Sequence, residues 1–291
     1  MEGIIIINKP KGFSSQDVVS KVKKVLNIKK AGHTGTLDPL ATGVLPVLLG
    51  NYTKLSKYLI EHDKVYRAKL KFGEKRETGD LEGKIIKISN KKISDIGKIK
   101  KVLSLMIGKQ VQIPPIYSAI KVNGKKLYEY ARLGEKVDIP PREIEIFKLD
   151  FISFDEREQI LEFDVSCSKG TYIRSLCEDI AEKLDNVGFM YELKRIKVDR
   201  FLIDNSTNIE ELEKNKDNIE NCLIKMEAIF KDLLKIELNN SKKVLFLNGV
   251  KLKGFEKFKN GVYNIYVEKD YIGLGIVENG LLKRDIIIGG D

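Results

Sequence analysis

The feature that most constrains the fold of this chain is a two-residue alternation in the segment Tyr66-Arg67-Ala68-Lys69-Leu70-Lys71-Phe72. The apolar and aromatic side chains of this segment point to one side, and its three cations point to the other. This spacing predicts a β-strand with one buried face and one exposed, cationic face. The segment therefore predicts a sheet that packs one of its sides on a core.

Similar patterns predict the other elements. Apolar runs predict strands at residues 3–8, 143–152, 160–165 and 191–198, and three short strands at 262–267, 271–277 and 281–288. Helical spacing predicts helices that begin near Ser15, span 93–106 with Ser94 as cap, lie near 127–133, follow Gly170 and span 242–247. Residues 112–141 are irregular, which indicates an excursion from the sheet. We predict an α+β domain at residues 1–232 and a small β module at 233–291.

The charge balance restricts the partners of the protein. Lysine and arginine number 52 against 42 aspartate and glutamate residues, and the net charge of +10 favours a polyanion, either nucleic acid or an anionic membrane surface. No segment approaches the roughly 18 to 20 apolar residues of a transmembrane helix, and a signal-peptide pattern is absent. Three cysteines without Cys-x-x-Cys spacing indicate neither a disulfide framework nor a zinc site. We expect a cytoplasmic protein that does not bind a membrane.

The segment Gly32-His33-Thr34-Gly35-Thr36-Leu37-Asp38-Pro39-Leu40-Ala41-Thr42-Gly43 has the composition of a loop and holds the best candidate for chemistry. Its glycines permit tight turns, and Pro39 disfavours a helical conformation at Asp38, so this carboxylate stands on a rigid turn from which it can reach a ligand. The segment has neither P-loop spacing nor a second carboxylate for paired-carboxylate hydrolysis. These residues alone leave open that Asp38 only begins an Asx turn and that His33 only packs.

Residues 32–45 resemble the active-site signature of the TruB family, the bacterial tRNA pseudouridine-55 synthases. Further motifs match in the family's order: Asn8-Lys9-Pro10-Lys11-Gly12-Phe13-Ser14-Ser15, Tyr66-Arg67-Ala68, Ile113-Pro114-Pro115 with Tyr117-Ser118-Ala119, Ser168-Lys169-Gly170-Thr171-Tyr172-Ile173-Arg174 and Leu193-Lys194-Arg195. The resemblance spans roughly residues 3–200. It implies a pseudouridine-synthase-type fold, in which helices flank a mixed, mostly antiparallel sheet, with a small C-terminal module similar to a PUA domain.

The resemblance also implies roles for individual residues. Asp38 matches the catalytic aspartate that acts in breaking the bond between uracil and ribose, by attack at C1′ or by a glycal route. Arg174 matches the arginine that pairs with it, and Tyr66 the tyrosine that stacks on the target base. The other matches to substrate-binding positions are His33, Tyr172, Leu193 and Asp80. Without the resemblance, Arg174 is expected on a helix surface and Tyr66 in the core.

The implied substrate is a uridine in the T-arm stem-loop of tRNA. Isomerisation has no net redox change and no group donor, so we expect no cofactor, no metal and no obligate protein partner. Residues 112–141 resemble the family's RNA-gripping insertion, in which Lys125 and Lys126 are candidate RNA contacts. Two alternatives stay open: a catalytically silent RNA-binding protein or tRNA chaperone that uses the same pocket, and a carboxylate-based nucleosidase that releases uracil.

Overall fold

The computed structural model of the protein describes residues 1–60 and 62–288. Its strands are β1 (Gly3–Lys9), β2 (Ala31–His33), β3 (Thr42–Leu49), β4 (Lys64–Phe72), β5 (Glu74–Arg76), β6 (Ile85–Ile88), β7 (Gly108–Gln112), β8 (Lys121–Val122), β9 (Lys125–Lys126), β10 (Arg142–Asp155), β11 (Ile160–Cys167), β12 (Gly188–Val198), β13 (Phe201–Leu202), β14 (Lys235–Leu238), β15 (Gly261–Val267), β16 (Asp270–Glu278) and β17 (Leu281–Ile287). Its α-helices are α1 (Ser15–Val25), α2 (Ser56–Leu59), α3 (Ile96–Leu105), α4 (Leu127–Leu133), α5 (Ile173–Lys183), α6 (Ile209–Lys214), α7 (Met226–Ile229) and α8 (Asn240–Leu247). Short 3-10 segments lie at Gly50–Leu55, Ile203–Asn205 and Lys216–Cys222.

The main sheet has the strand order β1-β3-β12-β4-β11-β10-β7, with β2 paired to β3 and β13 paired to β12. Every neighbouring pair along this path is antiparallel except β3 and β12, which run parallel where Thr42 and Gly43 meet Lys194 and Arg195. The predicted α+β fold with a mixed, mostly antiparallel sheet is confirmed. The single parallel contact places the end of the glycine-rich segment beside the Leu193-Lys194-Arg195 motif.

The central strand β4 shows the alternation that its sequence predicts. Its side chains are alternately buried and at least partly exposed from Lys64 to Phe72. The apolar side packs with helix α5, whose Leu176, Cys177 and Ile180 belong to the same buried cluster as Ala68 of β4. Each fully buried aliphatic side chain of this kind contributes roughly 1.5–3 kcal/mol to stability. The sheet and α5 therefore form a rigid support for the residues at the end of the helix.

The exposed side of the same sheet carries the three predicted cations, and each of them forms an ion pair with a carboxylate. These sheet-face ion pairs are Arg67–Asp164 at 2.8 Å, Lys69–Glu192 at 2.7 Å and Lys71–Glu158 at 3.6 Å. Asp164 lies directly opposite Arg67 in the ladder between β4 and β11. The cationic face predicted from β4 alone is thus neutralised by its neighbours.

Helix α1 begins where the sequence predicts, because Ser14 caps it and forms a capping box with Asp17. The predicted amphipathic helix is present as α3, but it begins at Ile96, so the start near residue 93 and the cap at Ser94 were wrong. The Asp95 side chain accepts a hydrogen bond from the Lys98 backbone N–H at 2.9 Å and thereby caps the helix. The apolar spacing gave the wrong start because Ile93 is buried outside the helix, where its backbone pairs with the Gln159 side chain.

The C-terminal module is a four-stranded sheet in the order β14-β15-β16-β17 with helix α8 beside it. The three predicted short strands are confirmed, but the parallel strand β14 was missed because it has only four residues. The module has a buried cluster of its own. Its Leu274 and Ile286 are buried in a second cluster with residues of β1 and β3, so the module packs directly on the main domain.

No helix within residues 1–60 and 62–288 combines the length and apolarity that crossing a bilayer requires.

Candidate active site

The Asp38 turn is fixed by hydrogen bonds from the end of β1, the start of α1 and the residues between them. The Ser15 hydroxyl accepts the Leu37 backbone N–H at 2.8 Å and donates to the Leu37 carbonyl at 3.2 Å. The Pro39 carbonyl accepts bonds from the Gly12 N–H at 2.8 Å and from the Lys9 Nζ at 3.1 Å. The predicted rigidity of the turn therefore has a physical source, since its backbone groups are held on both sides of the aspartate.

The glycine-rich segment is less of a loop than its composition predicts. Strand β2 reaches His33 and strand β3 begins at Thr42, so only the residues between them are irregular. At Gly43 the backbone φ is +104°, and a Cβ there would lie 2.2 Å from the Arg195 carbonyl oxygen. Glycine is required at this position because the parallel contact between β3 and β12 leaves no room for a side chain.

Asp38 and Arg174 form the predicted pair. The Arg174 Nε lies 3.1 Å from the Asp38 Oδ2, and only 6% of the arginine side chain is exposed against 37% of the aspartate. The Arg174 Nη atoms donate to the carbonyl oxygens of Thr78 at 3.1 Å and Tyr117 at 3.0 Å. The guanidinium is thus held on three sides and the carboxylate remains accessible. The expectation of a surface arginine, drawn without the family resemblance, was wrong.

Opposing effects act on the ionisation of Asp38. Burial raises the pKa of its carboxyl above the ordinary value, and the positive charge of Arg174 opposes this increase. The Asp80 carboxylate adds to the increase, whereas the Lys9 ammonium lowers the pKa. The carboxylate is therefore a stronger base than an exposed aspartate, and its charge depends on the cations around it.

A cavity of about 720 Å³ opens in front of Asp38. Five of the predicted site residues line it: Asp38, Tyr66, Tyr172, Arg174 and Leu193. Tyr66 is buried in the sheet and also contributes to the cavity wall. The segment 112–141 contributes Tyr117, Ser118, Ala119 and Tyr128 to the lining. The volume lies within the 300–1,000 Å³ that is typical of small-molecule sites, and the walls combine aromatic and charged groups.

Two further predicted residues lie next to the cavity without lining it. Asp80 is buried, and its Oδ2 lies 4.0 Å from Arg174 Nη1. His33 lies at the end of β2, where its Nδ1 is buried and has no hydrogen-bond partner within the described residues. Burial and the charge of Arg195 lower the pKa of His33, so the imidazole is neutral near pH 7. Asp80 thus belongs to the charge network, while His33 does not reach the cavity wall.

Lys125 and Lys126 lie outside the cavity on strand β9, which forms a hairpin with β8. The Lys125 ammonium is 2.7 Å from Glu135 and 4.5 Å from the centre of the Tyr130 ring. The Lys126 ammonium donates to the Tyr128 hydroxyl at 3.2 Å. Both lysines are therefore held on the surface of the insertion, and Tyr128 connects their hairpin to the cavity.

Three further side chains support the site and were given no role from the sequence. Lys9 is fully buried, and burial lowers its pKa to about 8. Arg195 of β12 is 1% exposed, and its side chain donates to the backbone carbonyls of Val44 and Gly35. Gln112 pairs with the backbone of Tyr172 through bonds of 2.8 and 3.1 Å and so holds the start of α5. Lys9 and Arg195 lie inside the quoted motifs, but cations are normally expected at the surface.

No group of three or more histidine, cysteine, aspartate or glutamate side chains with the geometry to hold a metal ion occurs in the described part of the chain. Cys167 and Cys177 are buried, and burial raises the pKa of Cys167 to about 12. These thiols are therefore protonated at neutral pH. Asp38 is a carboxylate at the cavity wall whose side chain is 37% exposed and paired with Arg174.

The chain shares its fold with solved structures of RNA-protein assemblies. A chain in the structure of an H/ACA RNP bound to a substrate RNA containing 2′-deoxyuridine superposes with a TM-score of 0.70 and 22% identity, covering 99% of this chain and 86% of that one. A chain in a Cbf5-Nop10-Gar1 complex gives a TM-score of 0.68 and 24% identity, over 98% and 83% of the two chains. At these identities the likeness establishes the fold.

Two family profiles match the sequence. The profile described as TruB family pseudouridylate synthase (N terminal domain) matches residues 23–173, and that of the tRNA pseudouridylate synthase B C-terminal domain matches 174–231. Fold, cavity and profile together place the protein among the pseudouridylate synthases, which are isomerases.

Within that class, the chain belongs to the TruB family. A relative from Caldanaerobacter subterraneus subsp. tengcongensis named tRNA pseudouridine synthase B is 42% identical over 97% of this chain and 98% of its own length. Proteins of the same name from Clostridium tetani and Aquifex aeolicus are 42% and 36% identical, over 94% and 97% of this chain and 95% and 98% of their own lengths.

Proposed function

We propose that the protein converts one uridine in the T-arm loop of tRNA, at position 55, to pseudouridine, with Asp38 as the catalytic carboxylate. The observation that carries this proposal is the Asp38–Arg174 pair at 3.1 Å, which lies at the wall of an aromatic-lined cavity in a TruB-family chain. Relatives that match nearly the whole chain are named tRNA pseudouridine synthase B, which supports tRNA as the substrate.

The cavity suits a uridine that has been turned out of an RNA loop. A stacked base hides its glycosidic bond, and turning it out costs a few kcal/mol, less when the base lies in a loop than in a duplex. Stacking on an aromatic ring returns roughly 1–3 kcal/mol per base. We assign this stacking to Tyr66, and the enclosure of the detached uracil to Tyr172 and Leu193, which line the same cavity.

The chemistry requires Asp38 in its charged form. Whether the carboxylate attacks C1′ or removes a proton in a glycal route, a neutral acid would be ineffective. Arg174 favours the charged form and orients the carboxylate with a planar group that lysine does not reproduce. We assign Asp80 the role of holding the far side of Arg174, because its carboxylate is 4.0 Å from Nη1. His33 is proposed to support the flipped nucleotide from outside the cavity wall.

The rest of the molecule is proposed to bind the tRNA body. We assign residues 1–232 to catalysis and residues 233–291 to a PUA-like RNA-binding domain, which the second sheet and its separate core support. The insertion at 112–141 grips the RNA with Lys125 and Lys126, which lie on its surface hairpin. We propose that the protein acts on tRNA in the cytoplasm without an obligate protein partner.

The direct test incubates the protein with a T-arm hairpin and maps pseudouridine chemically along the RNA. The proposal predicts one modified loop uridine with wild-type protein and none with Asp38→Asn. Bound but unmodified RNA would favour the silent RNA-binding protein or tRNA chaperone. Chromatography of the same reaction separates the nucleosidase, because isomerisation retains the base and a nucleosidase releases free uracil.

A further inference from the structure

Ser118 carries a buried hydroxyl that the folded chain leaves without a partner. The residue is 6% exposed, and its Oγ has no hydrogen-bond partner within the described residues. Among the buried side-chain atoms that lack a partner in the described part of the chain, only this one belongs to a residue that lines the cavity. An alanine of nearly the same shape would avoid the cost of an unpaired hydroxyl, so the serine is explained if a ligand in the cavity supplies the partner.

The backbone around Ser118 is held in place, which fixes where the side chain meets the cavity. The Ser118 carbonyl accepts the Tyr128 N–H at 3.1 Å. The preceding carbonyl, that of Tyr117, accepts a bond of 3.0 Å from an Nη of Arg174, and the Nε of the same guanidinium lies 3.1 Å from the Asp38 carboxylate. One arginine therefore joins the proposed catalytic carboxylate to the segment that carries the hydroxyl.

This connection favours the sugar of the target nucleotide as the partner of Ser118. Both routes proposed for Asp38 bring its carboxylate to the ribose, next to the carbon that carries the 2′-hydroxyl. The base, in contrast, is assigned to Tyr66 on strand β4. The segment that Arg174 ties to Asp38 is thus the part of the wall that we associate with the ribose.

The chemistry of a serine hydroxyl also suits the ribose better than the base. A hydroxyl both donates and accepts, so at the edge of a base it would bind a carbonyl or an amino group equally well and would not distinguish uracil from cytosine. The ribose 2′-hydroxyl likewise donates and accepts, and its presence separates RNA from DNA. A buried group that gains its partner from a substrate hydroxyl discriminates against the analogue without that hydroxyl, because the analogue leaves the group unpaired.

We propose that Ser118 is a specificity-determining residue whose hydroxyl binds the 2′-hydroxyl of the target uridine and so selects ribose over deoxyribose at the modified position. This inference rests on the proposed function. Ser118 makes and breaks no covalent bond of the substrate. Its hydroxyl is unpaired in the free protein and gains its hydrogen bond only when the flipped nucleotide enters the cavity.

The first test compares two proteins on two RNAs. Both proteins carry Asp38→Asn so that neither RNA reacts, and one of them also carries Ser118→Ala. The RNAs are T-arm hairpins with uridine or 2′-deoxyuridine at the target position, and filter binding measures the four affinities. Loss of one hydrogen bond predicts binding of the uridine hairpin that is weaker by up to about tenfold, and unchanged binding of the deoxyuridine hairpin.

Equal effects of Ser118→Ala on the two hairpins would overturn the inference, since a contact with the base or a purely structural role does not depend on the 2′-hydroxyl. The matched control is Ser104→Ala. Ser104 is exposed on α3, its hydroxyl donates to the Lys101 carbonyl at 2.8 Å, and it does not line the cavity. This variant should leave all affinities unchanged.

The second test measures the thermal stability of the free protein. Ser118→Ala removes an unpaired hydroxyl and leaves little empty space, so its Tm should equal or exceed that of the wild type, while its kcat/KM on the uridine hairpin falls by up to about tenfold. A Tm lowered by several degrees would show that the hydroxyl is bonded within the folded protein, and that result would overturn the inference. Wild-type protein without activity on T-arm RNA would refute the proposed function itself, whereas an active wild type with equal losses on both hairpins refutes this inference alone.

Discussion

The outer face of the sheet and the interior behind the cavity hold the same kinds of cation in opposite ways. On the face, Arg67, Lys69 and Lys71 each form an ion pair with a carboxylate of another strand or turn. In the interior, Lys9 and Arg195 donate to backbone carbonyl oxygens. The cations on the face are partly exposed, and carboxylates neutralise their charge. The two interior cations are buried and bonded to neutral carbonyl groups.

This difference shows that a buried cation affects the ionisation of its neighbours more strongly than an exposed ion pair does. Exposed ion pairs contribute about 0–1 kcal/mol and are screened by salt. Buried charges are much more costly to hold but act through a low dielectric, and the Lys9 ammonium accordingly helps to lower the pKa of Asp38. The net charge of +10 does not distinguish exposed ion pairs from buried cations, because it is only the difference between the numbers of basic and acidic residues.

The largest effect is expected from Asp38→Asn. The change removes the carboxylate and retains its shape, so modification of a T-arm hairpin should fall by at least roughly 10³-fold. RNA affinity should stay within a few-fold, as measured by filter binding, because the cavity walls are unchanged. Turnover near that of the wild type would remove Asp38 from its role.

Arg174→Lys should have the next largest effect, a loss in kcat/KM of about 10²-fold, because lysine cannot reproduce the planar contact with Asp38. The same variant should alter the pH profile. Since Arg174 opposes the raised pKa of Asp38, weakening the pair raises that pKa further, and activity should be lost at a higher pH on acidification. If activity were lost at the same acidic pH as in the wild type, Arg174 would not control the ionisation of Asp38.

Replacing Lys125 and Lys126 by alanine should weaken tRNA binding without abolishing catalysis at saturating RNA. If each lysine contacts one phosphate, the slope of log affinity against log salt should decrease by roughly 0.7–0.9 per lysine. Binding titrations at several salt concentrations measure this slope. The double variant Lys148→Ala, Lys183→Ala is the matched control on other surfaces, and an unchanged slope in the Lys125 and Lys126 variant would show that the insertion hairpin does not touch RNA.

Asp80→Asn should move the pH profile in the opposite direction from Arg174→Lys. The Asp80 charge raises the pKa of Asp38, so its removal lowers that pKa, and activity should persist to a lower pH. The kcat/KM profile from pH 4 to 8 reports this ionisation in the free enzyme. A shift to higher pH would mean that Asp80 acts mainly by holding Arg174 in place.

The smallest effect is expected from the sheet face. Arg67→Ala and Asp164→Ala should each lower the free energy of unfolding by no more than about 1 kcal/mol, with a coupling energy of 0.2–1 kcal/mol between them. Denaturant titrations of the single and double variants measure the coupling. Catalysis should be unaffected. A large loss of activity in either variant would show that the exposed ion pairs also contribute to catalysis.

Sequence patterns predicted the elements with strong periodicity and failed where a short polar contact decided the outcome. The alternation in β4 and the stripe of α5 were confirmed, because burial of apolar side chains dominates both. The start of α3 was misplaced because Asp95 competes with Ser94 for the cap. Strand β14 was missed because its four residues are too short to show a clear alternation.

Motif resemblance identified the residues that face the cavity better than those that support it. Asp38, Arg174 and Tyr66 are brought together as the resemblance implied. Lys9 and Arg195 contact the Asp38 segment from buried positions, and a sequence does not show whether a cation is buried. Likewise, the sheet-face ion pairs depend on the register between β4 and its neighbours. That register cannot be predicted from the sequence of one strand.

The most direct measurement is pseudouridine mapping on tRNA from cells that lack this protein. The account predicts that position 55 carries unmodified uridine in those cells, and that modification returns with the wild-type protein but not with Asp38→Asn. Pseudouridine that persists at position 55, or that returns equally with Asp38→Asn, would contradict it.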